Sequence, residues 1–220
     1  MTSVHLTAKA KKPDSPVLLR LLATIVSVVF HPLFITAYVI AFLIYIHPAA
    51  FAGVDERTKT FRLISTVLFT IFYPGVVLFI ASRLKLIHSL KMESRQDRII
   101  GFVITMFFYW WTWNVFRNLS DIPPVAVHFT LGVFLAICLG WMCNIFFRIS
   151  LHALAMGGLC TFFVIYGLND PFASGLYLSL AVLIAGLVCT ARLVLGQHSS
   201  FEIIVGLLMG IFGQLLGWIF

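Results

Sequence analysis

Arg192, His198 and Glu202 lie between two long apolar runs, within CTARLVLGQHSSFEIIVG (residues 189–206). On a helix beginning near Ser199, His198 and Glu202 are one turn apart and share a face. A carboxylate so placed accepts the hydrogen of one imidazole nitrogen. That fixes the tautomer and makes the other nitrogen a better nucleophile or base. Arg192, across a Gly196-Gln197 break, carries a fork of donors that matches phosphoryl oxygens. The plainer alternative is an Arg–Glu pair joining two helices, with the histidine at their interface. Either way the trio needs a reason to be there, because a charge at membrane depth costs roughly 2.5–3.5 kcal/mol on insertion scales.

Two other clusters could do related chemistry. In Ile149-Ser150-Leu151-His152, Ser150 opens an apolar run. A serine there can cap a helix or donate to an oxyanion, and helix N-termini attract anions. His152 could give a proton to a leaving alkoxide. In KMESRQDR (residues 91–98), Lys91 and Arg98 are two helical turns apart and can point the same way. A solvated basic loop is the default for such a run, with Glu93 and Asp97 neutralising Arg95 and Arg98.

The elements that must position these residues are membrane helices. Of 220 residues, 61% are hydrophobic and 10% charged, and the mean hydropathy is +1.04. Soluble domains are nearer half apolar and a quarter charged. One polytopic domain over 17–220 is expected, after a polar, basic tail over 1–16 with no cleavable signal pattern. Cys138, Cys143, Cys160 and Cys189 fall in apolar runs without CxxC spacing, and read as small core residues. The net charge of +7 suits anionic lipid or phosphate in so apolar a chain, not nucleic acid.

A span needs about 20 apolar residues. Seven candidates follow, at roughly 17–46, 60–82, 99–117, 125–148, 151–168, 174–195 and 201–220. The first holds His31-Pro32 and should be a kinked or broken helix rather than a re-entrant pair, with the histidine satisfied at the kink in preference to lining the site. Tyr109, Trp110, Trp111 and Trp113 read as an aromatic belt. Gly206/Gly210 and Gly213/Gly217 form G-x-x-x-G pairs, which mark close helix contact and offer a homodimer face on the last helix. His88 reads as interfacial. No ligand spacing supports a metal site.

Seven spans bring the three clusters to one membrane face, the face that also holds the N-terminus. That face carries eleven lysines and arginines against four on the other. The positive-inside rule places it in the cytoplasm.

Lys91-x6-Arg98, Ser150-x-His152 and Arg192-x5-His198-x3-Glu202, in this order, resemble the membrane type-2 phosphatidic acid phosphatase (PAP2) superfamily. Its motifs are K-x6-R-P, P-S-G-H and S-R-x5-H-x3-D. The resemblance covers roughly residues 91–202. Ile99, Ile149, Leu151 and Ala191 replace backbone-shaping or serine positions, and Glu202 stands for aspartate. The resemblance implies an all-α bundle of six to seven spans, PAP2-like, and a lipid phosphate or pyrophosphate substrate. By it, His198 attacks phosphorus, Glu202 orients His198, and His152 protonates the leaving group and then activates water. Lys91, Arg98, Ser150 and Arg192 hold the phosphoryl oxygens, with no metal and no cofactor. A bacterial inner membrane is expected. The family's usual periplasmic or lumenal site opposes the charge count, so the face is left open. The alternative is a silent relative that binds phospholipid or serves as a structural partner.

Overall fold

A computed structural model describes residues 15–89, 94–169 and 175–220. Among these residues the regular structure is helical throughout, with no strands. Six helices are long and apolar enough to cross a membrane, so the chain is an integral, multi-pass, all-α bundle.

The first run breaks where its sequence requires. Helix α1 (Val17–Val29) stops before His31-Pro32, and α2 (Pro32–Ala41) restarts with proline at its first position. Proline lacks the N–H that would continue the helix and is preorganised to begin one. His31 Nδ1 accepts from Leu33 N at 3.4 Å and caps α2. The two axes differ by 57°. A π-type turn (Phe42–Ile46) extends α2 to His47. Ser27, just before the break, meets His152 near the start of helix α7 (Leu151–Asn169), whereas His47 meets Tyr166 near its end, at 2.7 Å. The segment from His31 to His47 therefore runs the length of α7. That segment is a crossing, and α1 joins it at the bend, with its own start held at the end of α8 where Ser15 Oγ donates to the Val194 carbonyl at 3.4 Å.

The next crossing joins α3 (Glu56–Val67), a π-type turn (Leu68–Phe72) and α4 (Tyr73–Arg83). Pro74 accounts for the wide turn, because it removes one ladder donor and its ring displaces the carbonyl four residues back. Asp55 caps α3 by accepting from Thr58 N at 3.0 Å. Arg62 on α3 grips Asp121 in the 118–123 connection with two bonds, at 2.5 and 2.8 Å. That guanidinium holds the Asp121 carboxyl below the usual carboxylate range.

Three of the remaining crossings are α5 (Arg95–Arg117), α6 (Pro124–Phe146) and α8 (Gly175–Val194). The last is α9 (Ser200–Ile219), which packs on both α6 and α7. Its glycines explain how. A methyl group on Gly210 would collide with the Leu154 carbonyl of α7, and one on Gly213 or Gly217 with the α6 backbone at Ala136 or Gly132. The glycine face is thus consumed inside the protein. Close helix contact was the right reading of these glycines, and the homodimer face expected there is not a free surface. Tyr109 also departs from expectation: it is 2% exposed inside the bundle, while Trp110 and Trp111 remain exposed.

Candidate functional site

The ends of α5, α6, α7 and α8 and the start of α9 meet at one membrane face. Between them and the α1–α2 break lies a cavity of about 740 Å³. Its rim carries His31, Arg98, Arg148, His152, Arg192 and His198.

His198 and Glu202 form the tightest polar contact of the site. The α9 N-terminus builds it. Ser199 Oγ accepts from Glu202 N at 3.3 Å, and Glu202 Oε2 accepts from Ser199 N at 3.4 Å. This capping box turns the Glu202 carboxylate back over the first turn. The same Oε2 then accepts from His198 Nδ1 at 2.7 Å. The hydrogen on Nδ1 is committed, and Nε2 keeps its lone pair. Burial, and then the positive charges of Arg148, Arg192 and Arg98, push the His198 imidazole down to about 3. It is a neutral base at ordinary pH.

Three guanidiniums surround this dyad. Arg98 Nε donates to Asn144 Oδ1 at 3.0 Å, which fixes the head of an arginine one turn into α5. Arg192, on the last turn of α8, has a buried Nε with no partner among the described residues. Arg148, on the short α6–α7 connection, makes no hydrogen bond or ion pair among the described residues. Like charges gathered over one cavity repel each other unless an anion joins them. Of the sequence readings, Arg148 is the residue missed. A basic residue two positions before Ser150 was visible, but it matches no part of the motif and looked like one more charge at a span end.

His152 reaches the cavity from the first turn of α7. Its Nε2 donates to the Ser27 carbonyl at 3.0 Å, so Nδ1 is the nitrogen left to exchange a proton. Its ring stands edge-on to His31, with centroids 5.4 Å apart. His31 joins the two readings open to it, a satisfied kink residue and a residue lining the site: it caps α2 and lines the cavity.

Ser150 is brought close but not to the cavity wall. It is fully buried, and its Oγ accepts from Ala153 N at 3.3 Å as the α7 cap. Its own N–H donates to the Glu202 carbonyl at 3.2 Å, tying α7 to α9 beneath the dyad. Its flanks Ile149 and Leu151 line the cavity instead. Lys91 and Glu93 lie outside the described residues. Asp97 offsets part of the Arg98 charge, as expected, but its hydrogen bonds go to the backbone. It is buried and accepts from the backbone N–H groups of His88 and Ser89, at 3.0 and 3.3 Å. His88 Nδ1 lies 3.3 Å from the same carboxylate. Among the described residues no three His, Cys, Asp or Glu side chains converge as a metal site would require.

Comparisons of the chain with protein-family models, with curated proteins and with solved structures return no match.

Proposed function

We propose that this protein hydrolyses a lipid phosphate or pyrophosphate at the membrane face, through a phosphohistidine and without a metal. The observation that carries the reading is the His198–Glu202 dyad, facing a cavity rimmed by Arg98, Arg148 and Arg192. Phosphoryl transfer is mostly positioning and charge neutralisation, which three guanidiniums gathered on one rim can supply. His198 Nε2 attacks phosphorus as the bond to the leaving oxygen breaks. His152, which takes a proton onto Nδ1 when the phosphate brings its negative charge into the site, gives that proton to the leaving oxygen and returns to the neutral ring. It then takes one from water, which attacks phosphorus as the P–N bond breaks and His198 is regenerated. Arg148 takes up work for which the motif uses serine and backbone contacts, at positions filled here by Ala191 and Leu151.

A second reading, a silent phospholipid-binding relative, is favoured by Ser150, which caps α7 rather than facing the cavity. Phosphate release from a panel of lipid phosphates, with EDTA present, separates the two. Wild-type protein should release phosphate and His198→Ala should not. Arg148→Ala should lose on the order of tenfold or more in kcat/KM, since a hydrogen bond to a charged group is worth roughly 1.5–3 kcal/mol. A folded, monodisperse protein that releases nothing from any lipid would favour the binding reading.

A further inference from the structure

The cavity does not end at the charged rim. On α5 its wall is Arg98, Gly101, Phe102, Thr105 and Tyr109, a single helical face. Arg98 to Tyr109 is eleven residues, or about 16 Å of depth into the bundle. The lower wall is apolar, with contributions from Val133, Ile137 and Leu159. The floor is polar again. Thr36, Tyr109 and Gln214 all line this part of the cavity, and the Tyr109 hydroxyl engages Thr36. Gln214 is 1% exposed, and both its amide oxygen and nitrogen lack a partner among the described residues. A buried, unpartnered amide facing a void is costly unless something in the void meets it.

We infer that this inner chamber takes the chain of a single-chain lipid phosphate, lodged inside the helix bundle and not left in the bilayer. The inference rests on the proposed phosphate site for the headgroup. At about 30 Å³ per water-sized group, 740 Å³ holds on the order of twenty-five such groups. That suffices for a phosphate and one chain, whereas a two-chain phospholipid needs far more. An extended chain of roughly a dozen methylenes covers the same 16 Å. Gln214 marks the floor, where a water beyond the chain end can meet the amide.

The test needs no turnover. Butyl, octyl, dodecyl and hexadecyl phosphonates, and the matching alkanols, are titrated into the full chain in nanodiscs, with empty nanodiscs subtracted. Gly158 lines the chamber, and a Cβ there meets nothing closer than the Gly210 carbonyl at 3.8 Å, so Gly158→Leu can fill the void. Ala155→Phe, one turn nearer the rim, is the second variant. Wild-type affinity should rise roughly fourfold per methylene until near dodecyl and then level off. In both variants dodecyl and hexadecyl phosphonate should lose at least about tenfold relative to butyl phosphonate. Affinities that keep rising to hexadecyl, or that keep the same chain-length dependence in both variants, overturn the chamber. Alkanols that bind as tightly as phosphonates, with the same dependence on the variants, would leave the chamber standing and remove the phosphate site.

Discussion

His198 gains its reactivity from two neighbours that act in opposite directions. Glu202 takes the Nδ1 hydrogen and would by itself favour the imidazolium. Burial and three guanidiniums disfavour it more, and the imidazole is held down to about 3. The consequence for pH follows from linkage. Between the folded value of about 3 and the ordinary 6.5, the unfolded chain binds more protons at this residue than the folded protein does. Stability from this residue therefore rises with pH across that window and falls as acid is added. Isotope-labelled imidazole NMR should find His198 neutral at about pH 5, where a free imidazole is roughly thirtyfold more protonated than neutral. Proton uptake centred near the ordinary value would remove the argument for a neutral nucleophile. The capping box that aims Glu202 is readable in the sequence as Ser199-x-x-Glu202.

At the scale of elements, the site depends on how closely α9 approaches its neighbours. His198 and Glu202 sit at its first turn, and its glycine face lets the helix touch α7 and α6 backbone to backbone. Gly210→Ala adds one methyl group against the Leu154 carbonyl. Alanine is the better helix former by about 1 kcal/mol, but overpacking of this kind costs roughly 1–3 kcal/mol. The net effect should lower the unfolding midpoint in detergent and weaken the dyad. Gly186→Ala on α8, where a Cβ meets nothing within 4 Å, should instead leave the midpoint unchanged or raise it. Equal shifts in the two variants would show that close approach is not what seats α9.

At the scale of the whole molecule, parity decides whether there is a site at all. The crossings bring residues 84–89, the α6–α7 connection and the 195–199 turn to one face. The segment from His31 to His47 is the first crossing. In a cysteine-free background, single cysteines replacing Leu86 and Gln197 should react with an impermeant maleimide from the same side of sealed vesicles. Cysteines replacing Ala52 and Ser120, on the 47–55 and 118–123 connections, should react only from the other. Labelling of Leu86→Cys and Gln197→Cys from opposite sides would break the site apart. The orientation of the vesicles then tells which face is cytoplasmic, where eleven basic residues against four favour the site's own side.

Long apolar runs allow few structures in lipid, because every backbone polar group must be satisfied within the segment. The sequence by itself thus determined the all-α bundle, the order of its six long apolar helices, the break at Pro32, and by parity the shared face of Arg98, His152, Arg192 and His198. Spacing of one helical turn likewise determined that His198 and Glu202 would touch. What periodicity cannot carry is which side of a nearly all-apolar helix faces inward. Only the tertiary structure put Tyr109 and Gln214 inside, turned the glycines of α9 onto α6 and α7, swung His31 to the rim and Ser150 off it, and added Arg148 to the cations. Each of those depends on contacts between distant segments, where a single missing methyl group decides which helices meet.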